Sequence, residues 1–110
     1  MTNSAIRRFR KKPVVIEAVQ WTGRNLDELK TFTNSQFDTV DPEDAVDDPQ
    51  ITAEVWDFLH ATWVGVKTGD WVIKGVKGEF YPCDNEGFME TYEPEFATGG
   101  VVNLDADLAL

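Results

Sequence analysis

The chain has 110 residues, 42% of them hydrophobic and 12% aromatic, which is enough for one folded domain whose core needs no disulfide or metal. Its formal net charge of −10 repels nucleic-acid phosphates at long range and argues against duplex binding. The single cysteine, Cys83, excludes an internal disulfide and every multi-cysteine zinc pattern and fits a reducing compartment.

Residues 1–12 hold Arg7, Arg8, Arg10, Lys11 and Lys12, five of the ten cationic side chains. They read as a basic, solvated lead-in that offsets an acidic body, with a nucleic-acid arm or membrane tether as the alternative. No apolar run reaches the length of a membrane span, and no signal-peptide core is present. Pro13 to Trp21 is the first strand. Val15, Glu17, Val19 and Trp21 share one face, and Val14, Ile16, Ala18 and Gln20 share the other. Neither face is polar, so a central strand is expected, with Glu17 facing a ligand, near an edge, or paired with a cation such as Lys74.

Thr22-Gly23-Arg24 is a turn. Asn25, followed three residues later by Glu28, approximates a capping box. Leu26, Leu29 and Phe32 then give the buried stripe of a short helix over about 26–33. Asp27 and Glu28 in its first turn and Lys30 near its end suit the helix dipole. Gln36 to Val40 reads as a short strand. The stretch 41–50, with two prolines and five acids, lacks the alternating acids and central glycine of a calcium loop and reads as a mobile, solvated loop.

Ile51 to Trp63 fits either a helix, through Val55, Phe58, Leu59 and Thr62, or a strand, turn and second strand. The strand reading, with the turn near 59–62, makes a meander. Gly69 to Cys83 is a β-hairpin around Gly75 and Gly78, with Trp71 and Ile73 on one face and Val72 and Lys74 on the other. Asp84 caps a short helix over about 85–91, with Phe88 and Tyr92 facing inward. Pro94 keeps 92–96 extended.

No phosphate-binding glycine loop opens a helix. Cys83 with His60 is the sole nucleophile–base pair, and a small buried cysteine is the competing reading. One histidine and scattered acids are poor material for a metal site, and no cofactor is expected. Trp71, Lys74, Lys77, Glu79 and Tyr81 form a candidate surface for stacking a ring and pairing with phosphate. Against this stands a plain sheet in which the aromatics are core and the charges pair across strands. Trp21 and Arg24, beside a helix start, are a second anion-binding candidate. His60 and Trp63 at a hairpin tip are candidates for an interface.

Residues 10–23 (Arg-Lys-Lys-Pro-Val-Val-Ile-Glu-Ala-Val-Gln-Trp-Thr-Gly), 59–64, 69–83 and 90–94 resemble a large group of small phage and prophage proteins. The Gly69-Asp-Trp71 start is also similar to the Pro-Gly-Asp-Tyr-Gly motif group, with Thr68 in place of the proline. The resemblance carries over no catalytic residues. It implies a phage product made in the cytoplasm of a bacterial host. By analogy of size and context it points to a non-enzymatic anti-defence protein that sequesters a small nucleotide-derived immune signal, alone or as a homo-oligomer. The alternatives are an inhibitor that binds a host protein, a small hydrolase built on Glu79 or Cys83, and a minor virion protein.

The expected architecture is an α+β domain over 13–98, a mainly antiparallel twisted sheet of about 4–6 strands with two short helices. The acidic loop 41–50 and a loose tail over 99–110 complete it.

Overall fold

A computed structural model describes residues 5–95. The tail expected over 99–110 lies outside them. The fold is α+β, with two three-stranded antiparallel sheets and two short helices. One sheet has the order β1-β5-β6, formed by Glu17–Gln20, Trp71–Lys74 and Phe80–Cys83. The other has the order β2-β3-β4, formed by Phe37–Thr39, Ile51–Asp57 and Thr62–Lys67. Helix α1 spans Leu26–Phe32 and helix α2 spans Asn85–Thr91. The segment 51–67 is therefore a strand meander and not a helix.

Period-two alternation builds the core. Ala53 and Val55 of β3, Val66 of β4, Val72 of β5 and Phe80 of β6 are buried together with Trp21, Leu29 and Phe37. Edge-to-face contacts order the aromatics: Trp21 meets Phe37 at 5.1 Å between ring centroids, and Phe32 meets Phe80 at 5.5 Å. The buried Trp21 indole needs a hydrogen-bond partner and has one, since its Nε1–H donates to Thr52 Oγ1 at 2.9 Å.

The expectation of a central first strand is corrected. β1 is only four residues long and lies at a sheet edge. Its apolar run has another cause. Val19 packs on the core, whereas Val14, Ile16 and Ala18 front a groove beneath α2. Two apolar faces thus arise from two different neighbours. Glu17 stands directly opposite Lys74 in the β1–β5 register.

The capping box at α1 is also corrected. The Asn25 side chain makes no cap bond to the helix. It knits the preceding turn, where Oδ1 accepts from Thr22 N and Oγ1 and Nδ2 donates to Gln20 O, and it reaches the helix only through the Glu28 side chain, to whose Oε1 Nδ2 also donates. At the other end α1 stops without glycine. Asn34 (φ 58°) and Ser35 (φ 69°) both adopt left-handed backbone, and Ser35 N–H closes on Lys30 O at 2.7 Å.

Within 41–50, where no regular structure is expected from sequence, a single 3₁₀ turn forms over Pro42–Asp44. Ala45 is buried there, and Asp48 lies 3.8 Å from Lys67 Nζ. No helix among the described residues is long and apolar enough to cross a membrane.

Candidate functional site

The outer face of the β1-β5-β6 sheet carries Ala18, Trp71, Ile73, Tyr81 and Cys83, as the register requires. Helix α2 is fixed on this face from its first turn. The Asp84 carboxylate accepts from Gly87 N at 3.0 Å, satisfying an orphan amide of the helix start. Phe88 then stacks flat on Trp71, with 4.2 Å between centroids and 6° between planes, and Tyr92 tilts against Phe88 at 5.0 Å. Trp71 Nε1–H donates to Asn85 Oδ1 at 2.9 Å. Gln20 Nε2 adds a bond of 3.0 Å to Gly69 O.

Opposite α2 runs the extended arm 11–16. Between arm and helix lie two cavities of about 500 Å³ and about 410 Å³ that share Val14, Ile16, Tyr92 and Glu93 as walls. The larger is bordered by Lys11, Lys12, Glu79 and Tyr81, the smaller by Ala18, Trp71, Phe88 and Met89. The result is one groove with a charged end, where two lysines and two glutamates lie, and an apolar end.

The hairpin turn borders the charged end. Gly75 N donates to Glu79 O at 2.7 Å, and Gly78, with φ +84°, donates to Gly75 O at 3.0 Å. Glu79 Oε1 accepts from Lys77 N at 3.0 Å, and its carboxylate folds over the bare Cα of Gly75. Any side chain at position 75 meets it. Beside it, burial pushes the Tyr81 phenol up to about 12, helped by its hydrogen bond with Tyr92 and the negative charge of Glu79. Tyr81 is thus a neutral O–H donor across the physiological range.

The candidates read from sequence separate into distinct places. Tyr81 and Glu79 meet in the groove. Trp71 lines it too, but with one ring face already covered by Phe88. Lys74 projects from the opposite side of β5, and Lys77 lies exposed at the turn. Trp21, at 2% exposure, is a core residue with no face open to a ligand. Arg24 is exposed in the 22–25 turn and is not among the residues that line the groove.

His60 and Trp63 sit at the β3–β4 hairpin tip. His60 Nδ1 lies 2.7 Å from the Asp57 carboxylate, and Leu59 N–H donates to the same carboxylate at 3.0 Å. That pair, with Ala61 at φ 51°, fixes a turn in which Phe58, Leu59 and Trp63 stay about half exposed. His60 is thereby engaged with Asp57. Cys83 is held as a thiol, its pKa raised by burial and then by the Asp84 and Asp70 charges. A protonated thiol at the end of β6, in the other sheet, does not fit a nucleophile paired with His60. No group of three or more His, Cys, Asp or Glu among the described residues is placed to hold a metal ion.

Sequence reasoning missed the partnership of Lys11 and Lys12 with Tyr81, and of Phe88 and Tyr92 with Trp71. The usable signal was the second apolar face of Val14, Ile16 and Ala18, together with the i,i+4 aromatics of α2. Compared with known protein families, curated proteins and solved structures, the chain matches none.

Proposed function

We propose that this chain is a non-enzymatic phage accessory protein that binds and sequesters a small nucleotide-derived immune signal, held in the groove between the arm and α2. The observation that carries this reading is the juxtaposition of Lys11 and Lys12 with Tyr81 and Tyr92 around a cavity of about 500 Å³, a volume within the range of small-molecule sites. Two ammonium groups suit phosphate, and aromatic walls suit a flat ring. Glu79 and Glu93 supply acceptors for sugar hydroxyls. Binding without turnover is favoured by the placement of the reactive groups: Cys83 ends β6 under α2, whereas His60 belongs to the β3–β4 hairpin tip of the other sheet. The phage origin and the bacterial cytoplasm as its site rest on the sequence resemblance.

The test is calorimetric titration of the purified chain with ADP-ribose and with cyclic nucleotides, followed by denaturation and chromatography of the released ligand. Saturable binding and recovery of intact ligand support sequestration. Recovery of a cleaved product makes the protein an enzyme, and absence of binding to every probe removes the proposal.

A second reading, an inhibitor that binds a host protein, is favoured by the rigidly held tip. Trp63 packs edge-on against Trp56 at 5.6 Å, and Phe58 and Leu59 project beside it. Exposed aromatics on an ordered turn are the usual anchors of protein interfaces. Capture of a defined host protein that is lost on Trp63→Ala, with nucleotide binding unchanged, would favour this reading.

A further inference from the structure

The outer face of the β2-β3-β4 sheet combines two features that fit one kind of partner. Asp38 and Glu54 stand directly opposite each other on β2 and β3, and like charges in that position oppose strand pairing. Lys30 Nζ lies 3.9 Å from Asp38, which offsets only one of the two carboxylates. Two residues along the same face of β3, Trp56 pairs with Trp63 of β4. Opposed carboxylates next to a half-exposed Trp63 and a partly exposed Trp56 form a surface for guanidinium groups, which chelate carboxylates and stack on aromatic rings.

The chain itself carries such groups. Arg7, Arg8 and Arg10 are exposed on the stretch that extends the arm toward the N-terminus, they form no ion pair among the described residues, and Phe9 between them is 90% exposed. The rest of the chain sets five cations against all twenty acids, so arm and body are of opposite charge. We infer that the arm of one molecule docks in trans on the Asp38–Glu54–Trp56–Trp63 face of a second copy, with Arg7, Arg8 and Arg10 on the carboxylates and indoles and Phe9 against the apolar hairpin tip. Lys11 and Lys12 stay at the groove, so this contact uses none of the residues assigned to the ligand.

Sedimentation equilibrium of the full chain tests it. The expected result is concentration-dependent self-association that weakens by roughly tenfold or more between about 0.05 M and about 0.5 M salt, as screening of exposed charges requires. Replacing Arg7, Arg8 and Arg10 together by Glu yields a monomer, and so does Asp38→Lys with Glu54→Lys. Mixed, the two charge-reversed variants associate again, because each arm then meets a face of opposite sign. Circular dichroism checks that both variants are folded. A wild-type monomer at every concentration, association that strengthens with salt, or failure of the folded variants to associate on mixing overturns the inference. Binding of the wild-type arm to single-stranded RNA or anionic vesicles, without self-association, overturns it equally.

Discussion

The Trp71 indole and the Phe88 ring are stacked nearly parallel, with 4.2 Å between centroids and 6° between their planes. This contact joins β5 to α2 and forms a wall of the groove. Substituting Phe88 by Ala removes the stack and the bridge to Tyr92. The expected cost is about 2 kcal/mol, below the full core value because Phe88 is only half buried. Urea denaturation measures it. The same variant loses ligand affinity, whereas a surface change such as Lys74→Ala leaves both quantities unchanged.

Trp21 separates a structural tryptophan from a binding one. Its indole is buried against Phe37 and bonded to Thr52. Trp21→Ala is expected to destabilise the fold by about 3–5 kcal/mol. The fraction that remains folded binds ligand with wild-type affinity. A selective loss of affinity with unchanged stability would return Trp21 to the site.

The Asp57 carboxylate makes an acid-sensitive contribution to stability. The hydrogen bond with His60 lowers its pKa most, partial burial opposes this, and the Leu59 amide adds to the lowering. A depressed folded value means that the contribution is present above the ordinary value of 3.8 and is lost as pH falls below 3.8 toward the folded value. Thermal unfolding across acidic pH is expected to show this loss. Asp57→Asn is less stable at neutral pH and lacks that part of the acid decline.

Tyr81 gives the opposite sign. Its phenol is raised from 10.0 to about 12, so its contribution is complete below pH 10.0 and is lost as pH rises toward 12. Ultraviolet absorbance titration of the wild type and of Tyr81→Phe isolates the transition. The component missing from the variant is expected near 12, and Glu79→Gln shifts it downward by removing one of the charges that raise it. A missing component at 10.0 contradicts the geometry of the groove.

The hairpin turn links fold and site through two glycines. Gly78 has φ +84°, so Gly78→Ala is expected to cost about 1 kcal/mol. Gly75→Ala acts differently, since its methyl displaces the Glu79 carboxylate. Ligand affinity then changes more than stability, read by calorimetry beside urea denaturation.

The fold was legible wherever a local rule and the tertiary environment agree. The hairpin 71–83, the Asp84 cap and the strand over 37–39 follow from turn chemistry and period-two alternation, which need no distant partner. β1 was misjudged because two apolar faces are the pattern of a central strand, and sequence does not reveal that α2 covers the second one. Asn25 matched a capping spacing and its side chain does bond Glu28, yet it caps no helix amide, because its oxygen is taken by Thr22. Within the site, Glu79 and Tyr81 were legible as polar and aromatic groups flanking a glycine turn. Lys11 and Lys12 were not, because their place depends on where an irregular arm crosses the sheet. Trp21 and Trp71 show the same limit: composition marks them equally, but one is buried in the core and the other lines the groove.

The proposed function stands or falls with the groove between the arm and α2 as the ligand site. An amide ¹H–¹⁵N NMR titration of the intact chain with ADP-ribose and with cyclic nucleotides locates binding without assuming where it occurs. Saturable shifts confined to residues 11–16, 75–81 and 88–93 are expected, abolished by Lys11→Glu with Lys12→Glu. Shifts centred on the hairpin tip around Trp63, or none at any ligand concentration, would refute it.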